Sequence, residues 1–157
     1  MHYGQKLVNK LFYFKLKKII DSGELVSDKI LNQIISERIE ENDCKRGFIL
    51  DGYPRTMTQV FFFNNLLVKK NLKVNCIFEF SIDDQTILNR IIGRAATENR
   101  GDDSETSIKT RLLKYYQETK PVSDFYKTEF NSIYHLIDGN LEIAKLNLEL
   151  LKLAKKQ

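Results

Sequence analysis

An aspartate and an arginine stand four residues apart in the stretch Gly47–Gln59, which reads G-F-I-L-D-G-Y-P-R-T-M-T-Q. The apolar run Phe48–Leu50 is typical of a strand buried on both faces of a parallel sheet. Asp51 would then lie at the carboxyl end of that strand, the edge at which open α/β sheets bind ligands. Arg55 offers a planar bidentate donor that suits phosphate oxygens. The stretch therefore predicts either a phosphate-binding turn or an ordinary strand–turn with solvated charges.

A second charged stretch, Arg90–Asp103, reads R-I-I-G-R-A-A-T-E-N-R-G-D-D, so that three arginines and two aspartates bracket a short run of small residues. Such a mixture of charges is often a salt-bridged surface turn. In phosphoryl transfer, positioned guanidiniums would neutralise charge on the transferred group while a mobile flap excludes water. From the residues alone, both interpretations stay open.

The elements that must position these residues alternate between helices and short strands. The β-prone runs Val74–Phe80 and Ser132–Asp138 predict two further strands. Apolar periodicity and N-cap residues predict helices over about 14–21, 28–41, 58–70, 83 or 84 to 90, 106–116 and 141–155. The core-facing residues expected on the second of these helices are Leu31, Ile34, Ile35, Arg38 and Ile39, and those expected on the third are Phe61, Phe62, Leu66 and Leu67.

Length and composition favour a single domain, 1–157, because the 157 residues are 42% hydrophobic and 29% charged, with a formal net charge of +4. The basic excess fits solvated lysine faces or attraction to nucleotides, and no motif supports nucleic-acid binding.

Cys44 and Cys76 match no metal or redox spacing, so we expect a reduced, cytoplasmic protein. His135 is interpreted as a strand residue. No apolar run reaches the length of a membrane span, and lysines interrupt any signal-peptide core.

The motif D-G-[FY]-P-R after an apolar triplet, with glutamine four residues beyond the arginine, resembles the signature of adenylate kinases and their nucleoside monophosphate kinase relatives. The resemblance implies the reaction ATP + AMP ⇌ 2 ADP, with Mg²⁺ bridging the ATP phosphates and Asp51 holding one of its waters. It also implies that Gln59 reads the edge of the AMP adenine, which offers a donor beside an acceptor. The segment G-E-L-V resembles the lining of the monophosphate pocket. The implied AMP-binding residues are Glu24, Leu25, Val26, Gly52, Tyr53, Pro54, Arg55, Gln59, Arg100 and Arg111.

The second charged stretch is similar to the short lid of adenylate kinases, which G-R opens and R-x-D-D closes, here over about 94–103. By resemblance, Arg90 packs against the ATP adenine and Arg94 contacts the ATP phosphates. The later pattern R-L-x-x-Y followed by T-x-P makes Arg111 a phosphate clamp, and the backbone near Leu141 would meet the ATP adenine. No cysteines occur in the lid, so no zinc is expected. The implied catalytic residues are Arg55, Arg94, Arg100 and Arg111.

The 157 residues depart from the family pattern in lacking a G-x-x-x-x-G-K-[ST] loop, whose amides and lysine cradle the ATP phosphates, and a T-G-D-[LM]-[LF]-R segment. The fold expected is α/β, a P-loop NMP-kinase-like parallel sheet flanked by helices, with a monophosphate-binding part over about 14–42 and a short lid insertion. It would be incomplete because the first strand and the Gly-rich loop are missing. The β-prone run Leu11–Phe14 is a candidate to fill part of that gap.

The missing loop also bears on the expected activity. Phosphate positioning supplies most of the catalysis in this reaction class, so we expect a monomer whose kinase activity is impaired. The alternatives are a non-catalytic, nucleotide-binding remnant and a relative that acts on UMP or CMP.

Overall fold

The computed structural model of the chain describes residues 26–83, 85–87, 89–91, 93 and 105–155. The helix predicted over about 14–21 and the run Leu11–Phe14 lie outside these residues. The elements in chain order are α1 (Asp28–Arg38), a 3₁₀ helix (Asn42–Arg46), α2 (Met57–Lys70), β1 (Ile77–Ser81), α3 (Glu105–Lys114), a π turn (Tyr115–Thr119), α4 (Lys120–Glu129), β2 (Tyr134–Asp138) and α5 (Ile143–Ala154). None of the helices in the described ranges is long and apolar enough to cross a lipid bilayer.

The sheet consists, within the part of the chain that the structure describes, of β1 and β2 paired in parallel. Their register runs from Ile77 opposite Tyr134 to Ser81 opposite Asp138. Both strands were predicted, and each begins two or three residues later than the β-prone run. Parallel neighbours need a crossover connection, which α3 and α4 provide here. The α/β class, with a small parallel sheet flanked by helices, is therefore confirmed.

The strand predicted for Phe48–Leu50 is wrong in this structure. These residues have no strand assignment, and Ile49 is 94% exposed. Phe48 and Leu50 instead pack against the apolar cluster between α1 and α2. A strand is held by its ladder of hydrogen bonds, and no described segment pairs with these residues. Phe48 and Leu50 therefore face the helices while Ile49 faces the solvent, whereas a strand buried on both faces would have all three side chains covered.

Helix α2 is the central element because apolar residues cover two of its sides. One cluster joins its residues Phe63, Leu66 and Leu67 to Ile39 at the end of α1. The other joins Val60, which is 0% exposed, to Val122 and Tyr126 of α4. The helix begins at Met57 because the Thr56 hydroxyl accepts a hydrogen bond from Gln59 N at 3.1 Å.

The buried face of α2 differs from the predicted one at a single aromatic position. Leu66 and Leu67 are buried as expected, but Phe61 is 58% exposed and Phe63 takes the core position at 5%. Counting back three and four residues from Leu66 and Leu67 reaches Phe63, as the helical period requires. Because Phe61, Phe62 and Phe63 are consecutive, the sequence did not show which of them faces the core.

Helix α1 ends at Arg38, earlier than predicted, and the 3₁₀ helix follows. Ile39 is buried, whereas Ile34, expected in the core stripe, is 39% exposed. The Arg38 guanidinium donates to both carboxylate oxygens of Asp43, at 2.8 and 2.7 Å, and this hydrogen-bonded pairing lowers the pKa of Asp43. Arg38 therefore fixes the turn after α1 instead of joining the core.

Helix α4 was not predicted because Pro121 interrupts the helical pattern. The structure accommodates Pro121 in the first turn of α4, directly after the π turn. Proline cannot donate to the preceding turn, and a widened turn is one way to continue a helix past it. Helix α3, the π turn that contains Thr119, and α4 therefore follow one another without a break in the helical backbone.

The remaining elements agree with the sequence in type. The carboxylate of Asp83 accepts a hydrogen bond from Thr86 N at 2.8 Å, which begins the predicted helical stretch described at 85–87, 89–91 and 93. His135 lies in β2, as predicted. Helix α5 was predicted, and its Ile143 and Leu148 are 78% and 70% exposed.

Candidate functional site

The signature loop, Asp51–Thr56, connects the apolar run to α2 and turns sharply at Gly52, whose φ is +70°. The Arg55 side chain folds back over this glycine, and its Nε donates to the Gly52 carbonyl at 2.7 Å. A Cβ added at residue 52 would lie only 2.5 Å from Nη2 of Arg55. Glycine is needed here for the left-handed conformation and also for the close approach of the arginine. Arg55 is exposed, and its Nη groups are suited to phosphate oxygens.

The backbone of Arg55 is held on both sides by side chains from other positions. Its N–H donates to Oε1 of Gln59 at 2.7 Å. Its carbonyl accepts a hydrogen bond from the hydroxyl of Thr119 at 3.2 Å, across 64 sequence positions. These two contacts fix the peptide from which the guanidinium projects, so the start of the arginine side chain is well defined.

Gln59 is fully buried and lies in a polar network at the N-terminus of α2. Its relative exposure is 0%, and its Nε2 donates to Oδ1 of Asp28 at 2.8 Å. The second carboxylate oxygen of Asp28 accepts a hydrogen bond from the Thr56 hydroxyl at 2.9 Å. The amide that resemblance assigns to reading adenine is thus bound to protein partners in this structure. Its role toward AMP stays a prediction.

Tyr53 links the signature loop to α1. Its hydroxyl donates to Oδ1 of Asn32 at 2.7 Å, and its ring meets Phe63 edge-on at a centroid distance of 5.8 Å. Burial raises the pKa of Tyr53 to about 12, with smaller contributions from Tyr126 and Asp28. The hydroxyl therefore remains a hydrogen-bond donor at neutral pH. The Tyr53–Pro54 peptide bond is cis, and both residues are half-buried.

A second group of predicted residues meets at the carboxyl ends of the two strands. Nη2 of Arg90 donates to the carbonyl of Gly139 at 2.8 Å. Gly139 is itself buried, and its N–H donates to the carbonyl of Ser81, the last residue of β1, at 2.8 Å. Leu141 follows two residues later and is half-buried. The structure therefore brings Arg90 to the turn that contains Leu141, two positions that resemblance assigns to the ATP adenine.

Asp51 is exposed and follows the apolar run directly. Among the described residues, no group of three or more His, Cys, Asp and Glu side chains could hold a metal ion. Mg²⁺ commonly keeps several waters and binds through one or two carboxylates together with substrate phosphates. One exposed carboxylate therefore fits the water-mediated contact expected of Asp51, in which the ion would arrive with ATP.

The other predicted site residues are distributed unevenly. Val26 is half-buried just before α1, and Arg111 is half-buried on α3, where it has an interaction partner. Glu24, Leu25, Arg94 and Arg100 lie outside the described residues. Among the predicted site residues that the structure describes, one group meets at the signature loop and a separate group meets at the Gly139 turn.

Three polar residues of the site escaped the sequence reasoning. Asp28 was interpreted only as part of a helix cap, and Asn32 and Thr119 were given no contact. A signal existed for the first two, because positions four apart share one face of a helix. The hydrogen bonds they make, to Gln59, Thr56 and Tyr53, show that this polar face docks on the signature loop.

Comparisons with known proteins identify the family of the chain. A family model described as adenylate kinase matches residues 11–131. An adenylate kinase of Bartonella henselae is 35% identical over 147 residues, covering 90% of this chain and 76% of that protein. One of Sinorhizobium medicae is 34% identical over 145 residues, with 88% and 74% covered. One of Brucella anthropi is 40% identical over 118 residues, with 71% and 61% covered. The match spans the signature loop, the strand β1 and the arginine of α3, and this chain belongs to the adenylate kinase family.

Proposed function

We propose that this nucleotide kinase transfers a phosphoryl group between ATP and AMP, giving two ADP. The observation that carries the proposal is the fixed position of Arg55, whose N–H and carbonyl are both held and whose guanidinium is exposed. Phosphoryl transfer depends on positioning and on charge stabilisation rather than on covalent chemistry by the protein. A guanidinium on an anchored peptide supplies both for a phosphate bound at the signature loop.

The remaining residues have complementary roles in this proposal. Arg90 and the turn at Leu141 would receive the ATP adenine, because Arg90 already contacts the carbonyl of Gly139. Arg94, Arg100 and Arg111 would clamp the phosphates. Mg²⁺ supplies charge neutralisation at the ATP phosphates when bound, and Asp51 would orient one of its waters.

The absence of a G-x-x-x-x-G-K-[ST] loop from the 157 residues affects the expected rate. Loss of one preorganised donor typically costs about 10²–10³-fold in rate, and this loop provides several amides and a lysine. We therefore expect these 157 residues to turn over at least about 10³-fold more slowly than a kinase carrying the loop. A nucleotide-binding protein without turnover is the second candidate, because the anchored Arg55 would bind a phosphate whether or not that phosphate is transferred.

The test measures ADP formation from ATP, AMP and Mg²⁺, and AMP binding by calorimetry, with the 157-residue chain. Arg55→Ala removes the anchored guanidinium, and we expect AMP to bind about 10- to 100-fold more weakly, as for loss of a charged hydrogen bond. Arg46→Ala is the matched control, because Arg46 is an exposed arginine at the end of the 3₁₀ helix, nine positions before Arg55.

The outcomes separate the candidates. Slow turnover that Arg55→Ala abolishes supports the kinase, whereas AMP binding without turnover supports the second candidate. Tighter binding of UMP or CMP than of AMP would assign the acceptor to a pyrimidine nucleotide. If Arg55→Ala and Arg46→Ala bind AMP equally well, the anchored arginine has no part in phosphate binding.

A further inference from the structure

The carboxylate of Asp28 connects α1 with both polar residues at the start of α2. We propose that Asp28 is a positioning residue for base selectivity: it fixes the orientation of the Gln59 amide, and thereby favours a 6-aminopurine monophosphate over a 6-oxopurine one. The inference rests on the proposed function, in which Gln59 reads the acceptor base. It adds a residue that would not touch the ligand itself.

The orientation of the amide follows from the chemistry of its two partners. The carboxylate of Asp28 can only accept, and it receives a hydrogen bond from Nε2 at 2.8 Å. The backbone N–H of Arg55 can only donate, and it meets Oε1 at 2.7 Å. An amide turned by half a rotation would place two donors together at Arg55 and two acceptors together at Asp28. Each unmatched contact between buried polar groups is disfavoured by about 10- to 100-fold, so one orientation dominates.

The carboxylate is itself held in place. Its Oδ2 accepts from the Thr56 hydroxyl at 2.9 Å, and the same hydroxyl accepts from Gln59 N at 3.1 Å. One turn later on α1, Asn32 receives the hydrogen bond of Tyr53 at 2.7 Å. The helix that carries Asp28 is therefore docked at two points, and linked hydrogen bonds of this kind strengthen one another.

A fixed amide distinguishes purines by the order of its donor and acceptor. Beyond the two bonds described, an amide nitrogen has a second hydrogen and an amide oxygen a second lone pair. Adenine presents an amino donor beside a ring-nitrogen acceptor. A 6-oxopurine presents the reverse order, an oxygen acceptor beside an N–H donor. Since Gln59 is 0% exposed, the base must displace groups that now enclose the amide, and the orientation set by Asp28 determines which base then fits.

The experiment compares AMP with IMP, which share the ribose and phosphate and differ at position 6. Calorimetry on the 157-residue chain gives the ratio of the IMP and AMP dissociation constants. In Asp28→Asn, the new side-chain oxygen can accept from Thr56, but the new amide nitrogen then faces Nε2 of Gln59. We expect the ratio to fall about 10-fold or more, since neither amide orientation is then fully matched. Arg55 and its phosphate contact are retained, so weak binding of both nucleotides should persist.

The control variant is Ile39→Val, which shortens a buried side chain at the end of the same helix. Loss of one methylene should lower the melting temperature of the chain without altering the IMP-to-AMP ratio. A purely structural role of Asp28 predicts that Asp28→Asn behaves like this control. A change in the ratio is therefore the readout that separates positioning from stability.

A double variant tests the contact without any nucleotide. Asp28→Asn combined with Gln59→Glu reverses the polarity of the pair, so that the new amide donates to the new carboxylate. That carboxylate can still accept from Arg55 N–H. We expect the double variant to lose less stability than the sum of the losses in the two single variants, which is the favourable coupling that a double-mutant cycle measures.

The outcomes are distinct. An unchanged ratio in Asp28→Asn overturns the inference and leaves the proposed function intact, whereas a wild-type chain that does not bind AMP overturns both. If Asp28→Asn does not fold, recovery of folding in the double variant supports the pairing. Absence of that recovery overturns it.

Discussion

Replacing Gly52 by alanine tests whether the signature loop positions Arg55 through its backbone. The residue has a φ of +70°, and the guanidinium of Arg55 lies directly over it. The new methyl group would lie 2.5 Å from Nη2, closer than non-bonded atoms can approach. The arginine must therefore turn away, and its hydrogen bond to the Gly52 carbonyl is lost.

The expected loss of stability has two parts. A left-handed conformation costs a residue with a Cβ about 1–2 kcal/mol. The bond from Nε of Arg55 is exposed to solvent, so its loss adds only about 0.5 kcal/mol, the low end for hydrogen bonds. The free energy of unfolding should fall by about 1.5–2.5 kcal/mol, which for a chain of this length lowers the melting temperature by about 3–10 °C.

The assay combines urea unfolding with AMP calorimetry, and Gly47→Ala is the matched control. Gly47 also has a positive φ, of +114°, but a Cβ there would meet nothing within 4 Å. Both variants should lose stability, whereas only Gly52→Ala should weaken AMP binding, because only there is Arg55 displaced. If the two variants bind AMP equally well, the contact between Gly52 and Arg55 does not position the arginine and the reasoning is refuted.

Three further tests concern the packing. Phe63→Ala should reduce the free energy of unfolding in urea by about 3–5 kcal/mol. Phe61→Ala, at a 58% exposed position, should reduce it by less than about 1 kcal/mol. Equal losses in the two variants would contradict the assigned buried face of α2. Burial raises the pKa of Tyr126 from 10.0 to about 12. The folded state then holds the proton more tightly than the unfolded state, so stability should fall as the pH rises from 10 to 12, and Tyr126→Phe should flatten that fall in thermal scans. Gly139→Ala places a Cβ 2.3 Å from a side-chain carbon and should cost about 1–3 kcal/mol in urea, while Gly93→Ala, with nothing within 4 Å, should be tolerated.

Local signals in the sequence predicted most of the described helices and both strands of the sheet. Helix α2 begins one residue before its predicted start at Thr58, and Asp83 is one of the two predicted starts of the next helix. A hydroxyl or carboxylate that accepts from an N–H three residues ahead is a short-range feature. The two strands of the sheet were predicted because β-propensity is also a property of short runs of residues. The motif around Arg55 identified the family, since its spacing lies within one loop.

Features that depend on distant partners could not be read from the sequence. Ile49 follows the strand pattern, yet it is 94% exposed, because a pattern cannot supply the neighbouring strand that a ladder requires. Phe61 and Phe63 differ only in helical phase, which the packing of α4 and α1 decides. The bond between Asp28 and Gln59 spans 31 positions and was concealed by the local interpretation of Asp28 as a cap.

The position of Arg55 depends on side chains that have no reason to touch a ligand. Its N–H is held through Gln59, which is held by Asp28 on α1, and its carbonyl is held by Thr119 at the end of the π turn. Each bond contributes only about 0.5–1.5 kcal/mol to stability. The two anchors act on opposite sides of one residue, and the contacts of Tyr53 with Asn32 and of Arg55 with Gly52 hold the same loop. If Arg55 binds the transferred phosphate, as we propose, its position depends on the widened turn before Pro121, which places Thr119, as well as on the signature loop.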